Sequence, residues 1–127
     1  MKTFLVSRPG ALQASIRATL ASFPQIIFTG SATGGLSALD KINEEKPALI
    51  VIDNNLTEDE VVSLLKVIKR AHPKLYCIVL VDTPTEMQRS LSAGADGVLL
   101  RDSLSENLLS TLKDIGMPDP QANEGQN

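Results

Sequence analysis

Cysteine and histidine occur once each in the 127 residues, as Cys77 and His72. One cysteine excludes an internal disulfide, and its place inside an apolar run marks a buried, inert thiol with no base near it in sequence. One cysteine and one histidine cannot supply the N/S ligand set of a zinc site. A Ser-His-Asp triad has no candidate either. His72 follows a helical pattern and precedes Pro73, so it reads as a helix C-terminal residue beside the dipole. Net charge is −3 with no concentrated basic run. Lys66, Lys69 and Arg70 form only a small solvated group, so this chain alone is not expected to bind nucleic-acid phosphates. No apolar run approaches bilayer length, and Met1-Lys2-Thr3-Phe4-Leu5-Val6 enters a strand pattern instead of a signal peptide. The expected location is the cytoplasm, with no membrane partner. A glycine-rich phosphate loop is also missing, since Arg8-Pro9-Gly10 lacks the spaced glycines.

What is present suffices for one domain with a sizeable core: apolar residues are 43% of the chain and charged residues 21%. The most informative stretch is Pro47-Ala48-Leu49-Ile50-Val51-Ile52-Asp53. An unbroken apolar run after a proline reads as a strand buried on both faces, and its carboxyl end delivers Asp53. Other strands are expected at Thr3–Ser7, Gln25–Gly30, Tyr76–Val81 and Gly97–Arg101.

Helices are expected between them. Leu12, Ile16, Leu20 and Phe23 space an apolar stripe over Ala11–Ser22, which Pro24 ends. Gly30 permits a sharp exit from the second strand, and Ser31 can cap a helix running to about Glu45, with Leu36, Leu39 and Ile42 inward. Thr57-Glu58-Asp59-Glu60 is a capping box opening a helix with Val61, Leu64, Leu65 and Ile68 inward. Thr83-Pro84-Thr85-Glu86 is a second box, with proline where its missing N–H costs nothing, and that helix ends at Gly94. Ser103-Leu104-Ser105-Glu106 caps the last helix, to about Ile115, with Leu104, Leu108, Leu112 and Ile115 on its core side. Residues 117–127 contain no large apolar residue after Met117 and read as a disordered tail or the start of a linker. The expected domain is therefore 1–116.

Strands separated by single helices must run parallel, with right-handed crossovers. The natural solution is an α/β, flavodoxin-like, doubly wound five-stranded sheet in order 2-1-3-4-5, with five helices. Its switch point lies between strands one and three, where Ser7, Arg8 and Asp53 should meet in one crevice.

These residues resemble a family. The run Phe28-Thr29-Gly30-Ser31-Ala32-Thr33-Gly34-Gly35-Leu36-Ser37-Ala38-Leu39, then Lys46 to Asp53, resembles the receiver domain of bacterial two-component response regulators, the CheY-like fold. Ser92-Ala93-Gly94-Ala95-Asp96-Gly97-Val98-Leu99-Leu100-Arg101-Asp102-Ser103 is similar to that family's last-strand signature in its NarL/FixJ-type subfamily, which usually carries a C-terminal helix-turn-helix DNA-binding domain. The resemblance implies that Asp53 stands at the position accepting a phosphoryl group from a histidine kinase. In the family, two acidic residues after strand one help hold Mg²⁺. A Ser or Thr ends strand four, an aromatic on strand five rotates on activation, and a Lys follows it.

At nearly every partner position this chain differs. The acidic pair is Ser7 and Arg8. The Ser/Thr position is Val81, which has threonine's shape but no hydroxyl. The switch-aromatic position is Val98, and the Lys position is Arg101. Asn55 completes the pocket. Asp53 set against Arg8 and Arg101 makes a net positive crevice, in which a dication gains nothing. The expectation is a pseudo-receiver: no cofactor, Mg²⁺ binding lost, no metal site, no catalytic residue and no enzyme activity, with Arg8 or Arg101 salt-bridged to Asp53. Such a module acts through protein–protein contact independently of phosphorylation, as a homodimer or with a protein partner, through about Thr83–Ile115. DNA enters only through a separate output domain, if the chain is the N-terminal regulatory part of a transcription regulator. The alternative is a conventional receiver phosphorylated on Asp53. A small flavodoxin-like enzyme or cofactor binder is the weakest reading.

Overall fold

Leu49–Asp53 forms β3, buried at every residue, and the sheet is laid outward from it. The computed structural model describes residues 1–53 and 58–116. Among these, β1 (Lys2–Val6), β2 (Ile27–Ala32), β3, β4 (Tyr76–Val81) and β5 (Gly97–Leu100) pair in parallel in the order β2-β1-β3-β4-β5. Five helices alternate with them: α1 (Ala11–Ala21), α2 (Gly35–Glu45), α3 (Glu58–Ala71), α4 (Pro84–Ser92) and α5 (Leu104–Asp114). A single 3-10 turn, Arg101–Ser103, joins β5 to α5. This is the flavodoxin-like doubly wound sheet that strand–helix alternation requires. Residues 117–127 and Thr57 of the first capping box lie outside the described residues.

Side chains alternate across the pleat and so feed two cores. Leu5, Val51, Leu80 and Leu99 meet Ile16 and Leu20 of α1 and Leu104, Leu108 and Leu112 of α5. Phe4, Ile52 and Val79 meet Ile42 of α2 and Val61, Leu65 and Ile68 of α3, with Met87 of α4 packed alongside. Aliphatic residues fill nearly all of both layers.

Several local expectations are corrected. The second strand runs Ile27–Ala32, not Gln25–Gly30, so Ser31 is in the strand and Gly34 stands at the N-cap of α2. The cause is a register shift: Thr3 pairs with Phe28 but Phe4 with Gly30. A Cβ on Gly30 would lie 3.3 Å from the Phe4 ring, so this glycine lets the strand pass under an aromatic instead of turning out of the sheet. Leu12 is 49% exposed, and the buried stripe of α1 is Ile16 and Leu20. Ser103 makes no side-chain cap on α5; its hydroxyl donates to the Leu100 carbonyl at 3.3 Å. The second capping box is redirected. Thr83 Oγ1 accepts the Glu86 N–H, while the Glu86 carboxylate takes the N–H of Asp82. Gly94 does end α4, at φ 112°, where a side chain would be strained.

Leu108 and Leu109 are adjacent on α5, but Leu108 is fully buried and Leu109 is 47% exposed. Leu108→Ala is expected to cost about 3 kcal/mol through lost burial and the cavity left behind. Leu109→Ala should change stability by less than about 0.5 kcal/mol. Urea unfolding of the two variants checks the contrast.

Candidate functional site

The crevice is built where three strands end. Asp53 closes β3 beside Leu80 of β4 and is fully buried. Ser7 follows β1, and its N–H donates to the Ala32 carbonyl at 3.0 Å, which fixes the residue against β2. The Ser7 hydroxyl has one proton and, among the described residues, faces the acceptors Asp53 Oδ2 and the Arg8 carbonyl, each at 3.2 Å. The ionised acceptor makes the stronger bond.

The other carboxylate oxygen, Asp53 Oδ1, is taken by Arg101 Nη2. Arg101 opens the 3-10 turn after β5, and its second terminal nitrogen, Nη1, lies 3.2 Å from Asp82 Oδ1 just past β4. One guanidinium therefore ties the ends of β3, β4 and β5. An ammonium concentrates its charge at one atom, whereas the planar fork offers nitrogens to two carboxylates at once. The burial is graded: Asp53 is sealed, the Arg101 side chain is 17% exposed, and that of Asp82 is 56% exposed.

Arg8 takes a different course. Its side chain is 52% exposed and pairs with Glu60 of α3 at 3.3 Å. Of the two expected partners for Asp53, Arg101 makes the bridge. The expected net positive crevice is also corrected, because Asp82 and Glu60 set three carboxylates, with Asp53, against the guanidiniums of Arg8 and Arg101. Both acids were visible in the sequence. Asp82 directly follows the last residue of β4, and Glu60 closes the pattern of the first capping box, which signals only a local role.

Val81 is buried among the α2–α4 side of the core, and Val98 packs half-buried against the same cluster. No ring and no hydroxyl occupies either place. Asn55 lies outside the described residues.

The receiver resemblance implies Mg²⁺, so the donor chemistry bears on it. A hard dication takes oxygen ligands, chiefly carboxylates. Of the three positions implied for carboxylates, one offers a hydroxyl, one a guanidinium, and the third, Asp53, has an oxygen committed to Arg101. Among the described residues no group of three Asp, Glu, His or Cys could hold a metal. These side chains do not fit the ion.

Cys77 and His72 stand apart from this site. Cys77 is fully buried on β4, and burial pushes its thiol from the ordinary 9.0 up to about 12. The Lys69 ammonium opposes that shift and Asp96 adds to it. His72 Nε2 meets Asn43 Oδ1 at 2.8 Å, linking the ends of α3 and α2.

Removing Arg101 strands a buried carboxylate. Arg101→Ala is therefore expected to destabilise by about 3–5 kcal/mol, against at most about 1 kcal/mol for Arg8→Ala at an exposed pair. Urea unfolding of both variants decides this. For Cys77, the native thiol stays protonated where an unfolded chain's thiol ionises. This linkage is fully present below pH 9.0 and is lost as pH rises toward about 12. Ellman's reagent should leave the native protein unmodified at pH 8 and titrate one thiol in urea; rapid native labelling would contradict the burial.

Comparison with known proteins agrees with this architecture. The family model for the response regulator receiver domain matches residues 10–113. The DNA-binding transcriptional activator DevR/DosR of Mycobacterium tuberculosis is 24% identical over 118 residues, covering 91% of this chain and 54% of that protein. Protein-glutamate methylesterase/protein-glutamine glutaminase 1 of Methanospirillum hungatei is 37% identical over 86 residues, covering 65% of this chain and 25% of that protein. The chain thus spans about half and about a quarter of these two relatives. Among solved structures, the non-phosphorylated receiver domain of the stress response regulator RcsB from Escherichia coli superposes with a TM-score of 0.77 at 18% identity, covering 94% of this chain and 98% of that one. With the strand order, the buried acid at the end of β3 and a family match over most of its length, this chain belongs to the response regulator receiver domain family.

Proposed function

We propose that this receiver domain is a phosphorylation-independent interaction module in which Arg101 takes the charge-balancing role that Mg²⁺ has in the family. The observation that carries the reading is the buried Asp53 carboxylate, held by the Ser7 hydroxyl on one oxygen and Arg101 on the other. Phosphoryl transfer needs a free carboxylate oxygen and a cation to gather the charge of the moving group. In this reading the oxygen is occupied, and the two positions after β1 that the resemblance assigns to carboxylates hold Ser7 and Arg8. The domain carries out no catalysis and works in the cytoplasm.

The contact surface in this reading is the face from α4 through α5, about Thr83–Ile115. Leu91 of α4 and Leu109 of α5 stand 46% and 47% exposed there, and Val98 and Leu100 are half-buried on β5. Its partner is a second copy or another protein. Any contact with DNA passes through a separate output domain of the kind that the name of the DevR/DosR relative implies. Methylesterase activity is not carried over, because that match spans 25% of the relative.

The conventional reading keeps one observation on its side: Asp53 ends β3, where the resemblance puts the family's acceptor. Incubation with acetyl phosphate and Mg²⁺, read by intact mass, separates the two. No phosphoryl adduct is expected with or without Mg²⁺. Arg8→Asp alone is expected not to restore one, because Arg101 still holds Asp53. An adduct on the wild-type chain that disappears in Asp53→Asn would overturn the proposal.

A further inference from the structure

A groove lies at the opposite end of the sheet from Asp53, between the C-terminal ends of α2 and α3. It encloses about 630 Å³, within the range of small-molecule sites. Ile42, Pro47 and Leu75 are buried beneath it, and the apolar surface it offers comes from Ala48, Ala71, Pro73 and the half-buried Tyr76. Two of its lining residues, His72 and Asn43, are hydrogen-bonded to each other and join the end of α3 to α2. Neither the family relationship nor the reading of Asp53 calls for a cavity here.

Charge at the rim sets the class of occupant. Lys46 and Lys74 line the groove and are exposed, and no carboxylate is among its lining residues. Part of this positive charge answers the carbonyl ends of the two helices, each worth about half a negative charge. Two ammonium groups against about one negative charge leave a surplus of about one positive charge. Lys46 is held by the fold in the left-handed region at φ 49°, the only non-glycine with positive φ among the described residues. Lysine is a poor choice for that conformation on backbone grounds, where glycine or asparagine would be easier. An apolar wall beneath a cationic rim suits an anionic amphiphile and repels a cationic one.

We propose that this groove binds a small amphiphilic monoanion, an acyl or aryl carboxylate whose apolar body lies against Ala48, Ala71, Pro73 and Tyr76 while its head meets Lys46 and Lys74. The site is independent of Asp53. Its recognition follows from burial of the apolar body, with the ammonium groups selecting the sign of the head.

The test uses decanoate below its micellar concentration, followed by amide chemical-shift perturbation on the full chain. Saturable shifts are expected at residues 42–48 and 71–76, with the Asp53 crevice unmoved. Decanol should bind about tenfold more weakly, the effect of losing one favourable charge contact, and decyltrimethylammonium more weakly still. Lys46→Gly removes the ammonium and relieves the positive φ, so it keeps the fold while weakening decanoate. Ala71→Trp, at an exposed helix position, should fill the groove and abolish the shifts. The proposal fails if decanoate gives no saturable shifts, if they scatter over the surface, or if the cationic amphiphile binds as well as the anion.

Discussion

A carboxylate with no exposure to water must find its counter-charge inside the protein, and in this domain Asp53 finds it in Arg101. Much of the site follows from that pair. An ion pair out of water gains little net stability, because desolvation consumes most of the attraction, but losing one partner leaves an uncompensated charge. The arrangement therefore fixes geometry more than it adds stability. Arg101 also engages Asp82, so the same guanidinium determines where the chain beyond β4 sits relative to β3.

The pair also accounts for the departures around it. With Arg101 balancing Asp53, neighbouring carboxylates are not needed to collect a metal, and Ser7 and Arg8 are compatible with the site. Ser7 contributes a neutral donor to the second oxygen, and Arg8 turns outward to Glu60. Val81 and Val98 complete an aliphatic core where a hydroxyl and a ring would couple a phosphoryl group to the surface. Val81 and Val98 carry neither a hydroxyl nor a ring, while Ser7 and Arg8 keep polar contacts of their own.

Much of this was legible in the sequence, for identifiable reasons. Tyr76–Val81 is the fourth strand as expected, because six apolar residues between turn signals leave no other role. The inward face of α3, Val61, Leu64, Leu65 and Ile68, is buried as its spacing required. The errors fall where tertiary contacts override local signals. Gly30 looked like a strand end until Phe4 was placed over it. Leu12 fits the helical period but lies in the first turn of α1, beyond the edge of the core. In the crevice, the arginine that reaches Asp53 depended on side-chain direction: β5 aims Arg101 across the strand ends, while Arg8 leaves the sheet toward α3. Glu60 fits a local capping pattern and Asp82 fits none, and only the fold shows them as charge partners across elements.

The most direct test is the coupling energy between Asp53 and Arg101, from a double-mutant cycle of Asp53→Asn and Arg101→Gln measured by urea unfolding. A buried, mutually satisfying pair predicts that the double variant is more stable than the sum of the single losses implies, with a coupling of about 2 kcal/mol or more. A coupling within about 0.5 kcal/mol of zero, the additivity expected of independent sites, would contradict the account. Arg101 would then be a bystander, and the charge on Asp53 would need another explanation.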